Sequence, residues 1–516
     1  PPPGQTPRPA PRFKPHWEYV LEVHLHAPST PPSEAGVVLL LLQQFQMQPS
    51  NWSAFLPPKA FDAARAAALR WPVSAHDPAQ SVSVGTSNQG TTLDVTSAHR
   101  EEATPVYFRA SFNWSDATLT SLRYQHAPLT VAPWRPCFWR APVDNDIGWN
   151  MPSSLRIWRL LSESQHQPKH LMRLINNTKR GSCVKSSWQL VAPVRGLAEE
   201  EVLPTNTSGN TSGALKSWCG KAGQLSCVTC FHSVLPRAVR FECRYQPGAN
   251  FWSTSVMPRF GMSTRLPSRF ERLRWFGKGP HETYADRQAA GRVGVHEGKV
   301  SEQLHPYLRP QESGNKVGVR WLALSDESTG ESLLVVNDHG SSSHLSVSAL
   351  RHSTADLDLS YDSATSRLSR NSARVAKHHL TRRREQQKHA AELLRREFVE
   401  LHVDAFQMGV GGVHSWGARA EHSFLHWPTH SRTFSFTIVP TNLGGIDESG
   451  ISRRAARAAV QAAEASVALG CRFPRPLVEY SISKPSHMAA NVSQDRGRRR
   501  RHEAKANAKA ARAGGQ

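Results

Sequence analysis

Long apolar runs are missing from this chain. No stretch approaches the roughly 18 residues that a membrane-crossing helix needs, and the longest candidate, Gly36 to Leu42, has the length of a strand. Metal-ligand spacing is equally sparse. Seven cysteines, at 137, 183, 219, 227, 230, 243 and 471, include a single C-x-x-C, Cys227-Val-Thr-Cys230. A zinc ribbon wants a second close pair about 15 to 20 residues further on, and only Cys243 follows, which argues against structural zinc. A redox C-x-x-C needs a thioredoxin-like βαβ setting, which the strand-like flanks do not supply. Acidic charge is also short: 41 Asp and Glu against 63 Lys and Arg leave a formal charge of +22. Much of that excess is local, in Arg382-Arg383-Arg384 within the polar stretch 363–396 and in Arg496, Arg498, Arg499, Arg500 and Arg501. Such runs are usually solvated, so attraction to phosphate reads as a by-product and no specific nucleic acid is expected as a partner.

What the chain does have is β patterning. With 516 residues and 39% hydrophobic content it can build two or three domains around a large core. Residues 1–15 form a Pro-rich lead that cannot make a core. Trp17 to His26 alternates apolar and polar residues, and Gly36 to Met47 gives a second strand signal. Residues 49–92, rich in Pro, Ala and Ser, read as an insert or linker. Short strands then recur from Thr92 to Leu129, the spacing of an all-β sandwich. Trp149 to Ser164 has helical spacing, with Leu155, Trp158, Leu160 and Leu161 as its apolar face. Strands resume from Gln224 to Tyr245 and continue to Thr433-Phe-Ser-Phe-Thr-Ile-Val. Beyond 445 the chain is a basic, Ala/Arg-rich tail with a short helix expected over 452–468. Six N-x-[ST] sequons, at Asn51, Asn113, Asn176, Asn206, Asn210 and Asn491, permit glycosylation if the chain is secreted and do not establish secretion.

Four motifs interrupt the strands. Phe138-Trp-Arg-Ala-Pro-Val-Asp-Asn-Asp146 places Asp144 and Asp146 around Asn145, either as an Asx-type turn or as a gathering of polar groups for hydroxyls or a hard cation. Gly277-Lys-Gly-Pro-His-Glu-Thr-Tyr-Ala-Asp-Arg287 runs from a strand into a Gly-rich loop. There Gly277 and Gly279 free the backbone to hinge, and His281, Glu282, Tyr284, Asp286 and Arg287 crowd together. Two readings stand: an ion pair of Arg287 with Glu282 or Asp286 inside the loop, or a substrate-facing loop. Arg309-Pro-Gln-Glu-Ser-Gly-Asn-Lys316 is a polar turn ahead of a strong strand. Gln407-Met-Gly-Val-Gly-Gly-Val-His-Ser-Trp416 is a glycine turn that presents Trp416 either as a buried hairpin indole or as a flat platform for a sugar ring.

These four motifs, in this order, closely resemble the C-terminal domain of the large β-galactosidases of glycoside hydrolase family 2. The resemblance covers 136–442 well and 16–130 more faintly. It implies a mainly β chain: an immunoglobulin-like β-sandwich over 16–130, then a large antiparallel β-supersandwich over 136–442, similar in fold to galactose mutarotases. It also implies that Trp416 reaches into a galactoside pocket, with His414 beside it, and that the loop 277–287 lies near the mouth of the active site and moves. Departures are visible. Val413 and His414 stand where acidic or amide residues are usual, and Thr283 and Ala285 where Asn and Pro are usual.

The resemblance equally defines what must come from elsewhere. Retaining hydrolysis needs two carboxyl groups about 5–5.5 Å apart. In this family both glutamates come from a preceding (β/α)₈ barrel, which needs about 250 residues of alternating strand and helix that this sequence does not contain. The Asn-Glu dipeptide that marks the family's acid/base is absent. No residue here is therefore assigned as catalytic. Glu282 and Asp286 are poor substitutes, since an Arg beside them holds them ionised. No cofactor or metal is expected in this chain, whereas Mg and Na are expected for the complete enzyme. The implied partners are β-galactosides such as lactose and a barrel-containing large chain or upstream domains. The implied state is a soluble oligomer off the membrane, in an unfixed compartment that includes the cytoplasm of a β-galactosidase complex. A non-catalytic carbohydrate-binding or assembly module, and a basic nucleic-acid-associated protein, are the alternatives.

Overall fold

The computed structural model describes residues 19–28, 37–47, 81–89, 91–101, 104–125, 127–163, 170–178, 181–190, 223–232, 235–248, 256–338, 344–358, 389–414, 417–448, 450–455 and 458. Among them the chain is mainly β, and every strand pair is antiparallel. The strands β1 (Tyr19–Pro28) and β2 (Val37–Met47) form a two-stranded ladder. A five-stranded meander follows: β3 (Ser81–Ser87), β4 (Thr92–Glu101), β5 (Thr104–Asn113), β6 (Leu119–Tyr124) and β7 (Ala127–Pro128). Its first strand lies within the stretch that composition assigns to an insert. The alternation Ser-Val-Ser-Val overrides the Ser-rich composition by burying Val82 against the sheet core.

Two larger sheets make the body. One has nine strands in the order β15-β14-β17-β18-β21-β12-β11-β10-β9. In chain order these are β9 (His170–Thr178), β10 (Gly181–Leu190), β11 (Gly223–His232), β12 (Leu235–Pro247), β14 (Arg272–Gly279), β15 (Arg292–Lys299), β17 (Trp321–Ser325), β18 (Glu331–Asn337) and β21 (Arg432–Asn442). The other has five, ordered β16-β19-β20-β13-β8, from β8 (Arg135–Cys137), β13 (Arg259–Pro267), β16 (Lys316–Val319), β19 (Leu345–Leu350) and β20 (Phe398–Gln407). Strand β21 is last in sequence yet central in its sheet, pairing with β12 on one side and β18 on the other, so it joins two halves that the chain builds far apart. Its alternation aims Phe434, Phe436 and Ile438 into the core, all at most 1% exposed. Each such side chain contributes about 1.5–3 kcal/mol of burial. Phe434 meets Phe260 of the five-stranded sheet edge-on at 5.1 Å, and Phe436 stacks on Phe241 at 4.8 Å.

The core does not stop near residue 130. Phe108 and Phe112 of β5 lie 6.4 and 6.1 Å from Phe231 of β11, and the Trp188 indole N–H donates to the Asp116 carbonyl at 2.8 Å. The five-stranded meander and the two large sheets therefore share one continuous apolar cluster.

A short helix α1 (Asp144–Gly148) precedes the span, and the helix expected over 149–164 is present in two pieces, α2 (Met151–Ser154) and α3 (Arg156–Glu163). Asn150, at φ 62 and ψ 38, is in the left-handed region, which no continuous helix of L-residues tolerates, and Pro152 restarts the chain in the first turn of α2. The predicted apolar face holds: Leu155, Trp158, Leu160 and Leu161 are all buried. Of the helix expected over 452–468, residues 452–455 and 458 are helical, and the rest of that stretch lies outside the described residues.

The C-x-x-C segment has a role on which spacing rules are silent. It lies in mid-strand on β11, where the register sets Cys230 opposite Cys183 of β10 and Cys227 opposite Cys243 of β12. Both facing pairs form disulfides, with Cα atoms 4.2 and 4.1 Å apart. Cys137 keeps a buried thiol that donates to the Trp139 carbonyl.

Candidate functional site

The four motifs, spread over nearly 280 residues of sequence, are brought together at one end of the sheets. The glycine turn that follows β20 is the centre of the gathering. Gly411 and Gly412 have φ of 71° and 99°, conformations that residues bearing a Cβ avoid. Gly409 meets a different demand, because a Cβ there would sit 2.7 Å from Cγ of Asp286 and 2.9 Å from Cβ of Ala420. That close approach is what lets the Asp286 carboxylate engage the turn. Its Oδ1 accepts from the Val410 amide at 2.9 Å and its Oδ2 from the Gly411 amide at 2.8 Å. Two successive amides converging on one carboxylate form a small anion-binding nest, filled here by the protein's own side chain. From the other side Arg140 donates to the Gly409 carbonyl at 3.2 Å. Val143, Tyr284 and Val410, one from each of three motifs, pack as a small apolar cluster beneath.

The first motif is a turn of helix, and the Asx turn and the open polar cluster are both replaced by it. Asp146 is buried and ion-paired with Arg140 at 2.6 Å, and it also accepts from the Val143 amide at 2.9 Å. Burial pushes the Asp146 carboxyl above its ordinary value, against the pull of Arg140 and that amide. Asp144 is exposed, and its Oδ2 accepts from Gln311 of the third motif at 3.1 Å.

Gly277 and Gly279 are not hinges in a loop. Both lie in β14, paired with Gly294 and Arg292 of β15. A Cβ on Gly277 would come 3.0 Å from Val319 Cα, and one on Gly279 2.7 Å from the His296 ring, so these glycines serve close packing. The segment after them is tied down at several points. The Tyr284 and Arg287 backbones exchange two hydrogen bonds of 3.0 Å, and Tyr284 is fully buried, its phenol pushed well up by that burial. Glu282 receives the Arg287 guanidinium, the Tyr307 hydroxyl, the Gly314 amide at 2.8 Å and the Ser313 hydroxyl at 3.3 Å. Burial, followed by the hydrogen bond to Glu282, pushes the Tyr307 phenol up to about 12. Of the two ion pairs left open by the sequence, Glu282 with Arg287 forms, while Asp286 turns to the glycine amides. Thr283 closes the contact with the third motif: its amide donates to the Asn315 carbonyl at 2.7 Å and its hydroxyl accepts from the Val317 amide at 3.0 Å. His281 is exposed at the edge of this segment.

Sequence reasoning missed the buried ionic centre behind the site. Arg259 of β13 is 1% exposed and reaches Glu312 of the third motif at 3.1 Å, Asp404 of β20 at 3.2 Å and His402 at 3.1 Å. Glu312 also accepts from Gln407, where the glycine turn begins, at 3.0 Å. Burial pushes the Asp404 carboxyl up to about 6 in spite of Arg259. Local pattern gave no signal, since His402 and Asp404 alternate with the core residues Val399, Leu401 and Val403, and Arg259 precedes the core residue Phe260, which reads as a polar outer face.

At the rim the surface is exposed and partly apolar. Val413 is 72% exposed and Ile147 44%, and a Cβ at Gly412 would stand 3.2 Å from the Asn145 amide nitrogen. The Arg419 guanidinium stacks 4.4 Å over the Trp149 ring. His414 is exposed beside Val413. Trp416, the residue the sequence singles out, and Ser415 lie outside the described residues, between the described His414 and Gly417. Among the described residues no group of three or more His, Cys, Asp or Glu is gathered to hold a metal ion. No described helix is long and apolar enough to cross a membrane.

An antiparallel β-supersandwich with a carboxylate-clamped glycine turn at its rim is thus the class of module defined here. The β-galactosidase small-chain family model matches residues 104–438, so the chain belongs to that family. A β-galactosidase from Priestia megaterium is 26% identical over 333 residues, covering 64% of this chain and 26% of the relative. One from Streptococcus thermophilus is 31% identical over 328 residues, covering 63% and 25%. The chain thus matches about a quarter of the length of these relatives. Among solved structures, the GalM/aldose epimerase homologue from C. elegans aligns with 65% of this chain and 96% of its own at 7% identity and a TM-score of 0.32, a likeness too loose to inform on this chain.

Proposed function

We propose that this chain is the C-terminal component of a β-galactosidase that removes terminal, non-reducing β-D-galactose from β-galactosides such as lactose, with retention. Its part is to supply a wall of the sugar pocket, with Trp416 as the stacking platform and His414 next to it. The observation that carries this reading is the convergence of four distant motifs on the turn leading to Trp416, held by Asp286 at 2.9 and 2.8 Å. Such anchoring is what a residue needs if it is to meet a sugar ring at a fixed height and angle.

The two carboxyl groups of the reaction are assigned to a (β/α)₈ barrel, on a partner chain or on upstream domains of the same protein. In this chain the candidates are otherwise engaged: Glu282 accepts from four groups and Asp286 holds the turn. The same assembly is where Mg and Na would act. The apolar rim at Ile147 and Val413 fits a role in assembly with such a barrel.

Complementation tests the reading. The chain alone is expected to leave a chromogenic β-galactoside intact, and addition of a barrel-containing large chain is expected to restore hydrolysis. Galactoside binding without rescue would instead favour a carbohydrate-binding module. Hydrolysis by the purified chain alone would overturn the assignment of the carboxyl groups.

A further inference from the structure

Two features left unused by the reading above point to where the chain is made and what is attached to it. The first is the pair of disulfides. Cys227 and Cys230 are three residues apart on β11, so their side chains leave opposite faces of the strand. Each then meets a cysteine on a different neighbour, Cys243 on β12 and Cys183 on β10. All four are at most 5% exposed. Three adjacent strands are thereby stapled, one bond on each side of the sheet. Structural disulfides of this kind form and persist in oxidising compartments and are rare where glutathione keeps thiols reduced.

The second is Asn113-Trp114-Ser115, one of the six sequons, which forms the turn between β5 and β6. The turn is closed by the Asn113 amide donating to the Thr118 carbonyl at 2.9 Å. The Asn113 side-chain oxygen accepts from both the Ser115 amide at 2.8 Å and the Ser115 hydroxyl at 2.9 Å. The side-chain nitrogen makes no hydrogen bond among the described residues. Trp114 is 36% exposed and Ser115 is exposed, so the turn projects from the sheet. The exposed tripeptide, with the Asn113 nitrogen outside any hydrogen bond among the described residues, leaves the carboxamide accessible to a transferase. Of the other sequons, the Asn176 side chain and residues 51, 206, 210 and 491 lie outside what the structure describes.

We propose that Asn113 carries an N-linked glycan and that the chain matures in an oxidising compartment, where the Cys183–Cys230 and Cys227–Cys243 disulfides close. In the transfer step the Asn113 Nδ2 forms a bond to C1 of a sugar supplied as a lipid diphosphate-linked oligosaccharide. The C1–oxygen bond to the diphosphate breaks, the lipid diphosphate departs with the electron pair, and Nδ2 gives up one proton to a base of the transferase. Neither the modification nor the bonds depend on the hydrolytic assignment.

The test uses the protein purified from its source cells, with free thiols alkylated and the chain proteolysed without reduction. Release of glycans by an amidase in heavy-oxygen water is expected to convert Asn113 to labelled aspartate, and peptide mapping to find 183 linked to 230 and 227 to 243. Passed through a secretory host, Ser115→Ala is expected to lose the label at Asn113 while keeping the wild-type circular dichroism and the same disulfide map. An unmodified Asn113, a 227-to-230 linkage, or alkylation of all four cysteines would each overturn the proposal.

Discussion

Replacing Asp286 by alanine isolates the device that fixes the glycine turn. The substitution removes two charge-assisted hydrogen bonds, to the Val410 and Gly411 amides at 2.9 and 2.8 Å. Bonds of this class contribute about 1.5–3 kcal/mol each when buried. Asp286 is only half-buried, so water can take up part of the loss and the sum falls to about 2–4 kcal/mol. The effect is local because the ladder of β20 and the Arg140 bond to Gly409 remain. Hydrogen exchange resolves it residue by residue. At about 1.4 kcal/mol per factor of ten, the Val410 and Gly411 amides are expected to exchange about 30- to 1000-fold faster, while amides in the middle of β21 hardly change. In an assembled, active enzyme the same variant is expected to lower kcat/KM about as much as removing the Trp416 side chain. Unaltered exchange at Val410 and Gly411 in a folded Asp286→Ala protein would refute the reasoning, because the turn would then hold its shape without its carboxylate.

Trp416→Ala in the assembled enzyme is expected to weaken galactoside engagement by about 1–3 kcal/mol, the scale of losing a large apolar contact; inhibition by a galactose analogue measures it, and unchanged inhibition would withdraw Trp416 from the pocket. Glu312→Ala leaves Arg259 with one carboxylate and unties Gln407, and is expected to cost about 3–5 kcal/mol in denaturant unfolding; a cost below about 1 kcal/mol would show that Asp404 alone satisfies the guanidinium. Glu400 supplies a pH signature. Burial is the largest influence and acts to raise its pKa, but His402, the Thr354 amide and Arg265 outweigh it and hold the value down to about 2, from 4.5. A depressed carboxylate contributes stability that is fully present above 4.5 and is lost as pH falls through about 2. The stability gap between wild type and Glu400→Gln is therefore expected to close on acidification across that window, and a gap independent of pH would remove Glu400 from the account.

The β class was legible because strand alternation is a local signal: the inward phenylalanines of β21 and the apolar face of α3 sit where their spacing puts them. The order of strands was not, since nothing local in Thr433-Phe-Ser-Phe says that this strand is laid between β12 and β18. The motifs were legible as motifs, but the part each residue plays depended on partners that only the fold brings together, from 17 positions away for Gly279 and His296 to 124 for Asp286 and Val410. Asp286 looked like a companion for its neighbour Arg287 and instead serves Val410 and Gly411. Gly277 and Gly279 looked like hinges and instead let β14 pack closely against Val319 and His296. Cysteine spacing argued against zinc and a redox pair but was silent on the disulfides, for the same reason. Zinc and redox rules consider spacing along the chain, whereas Cys183 and Cys243 meet Cys230 and Cys227 only through strand register.

The clamp at the glycine turn also restricts what the rim can recognise. Backbone N–H groups that would otherwise form a cup for a sulfate, a carboxylate or a developing oxyanion already face an internal negative charge. A visiting molecule gains nothing there by being anionic. Under the function proposed above, discrimination at this edge rests on side-chain outline and hydroxyl directions rather than on charge.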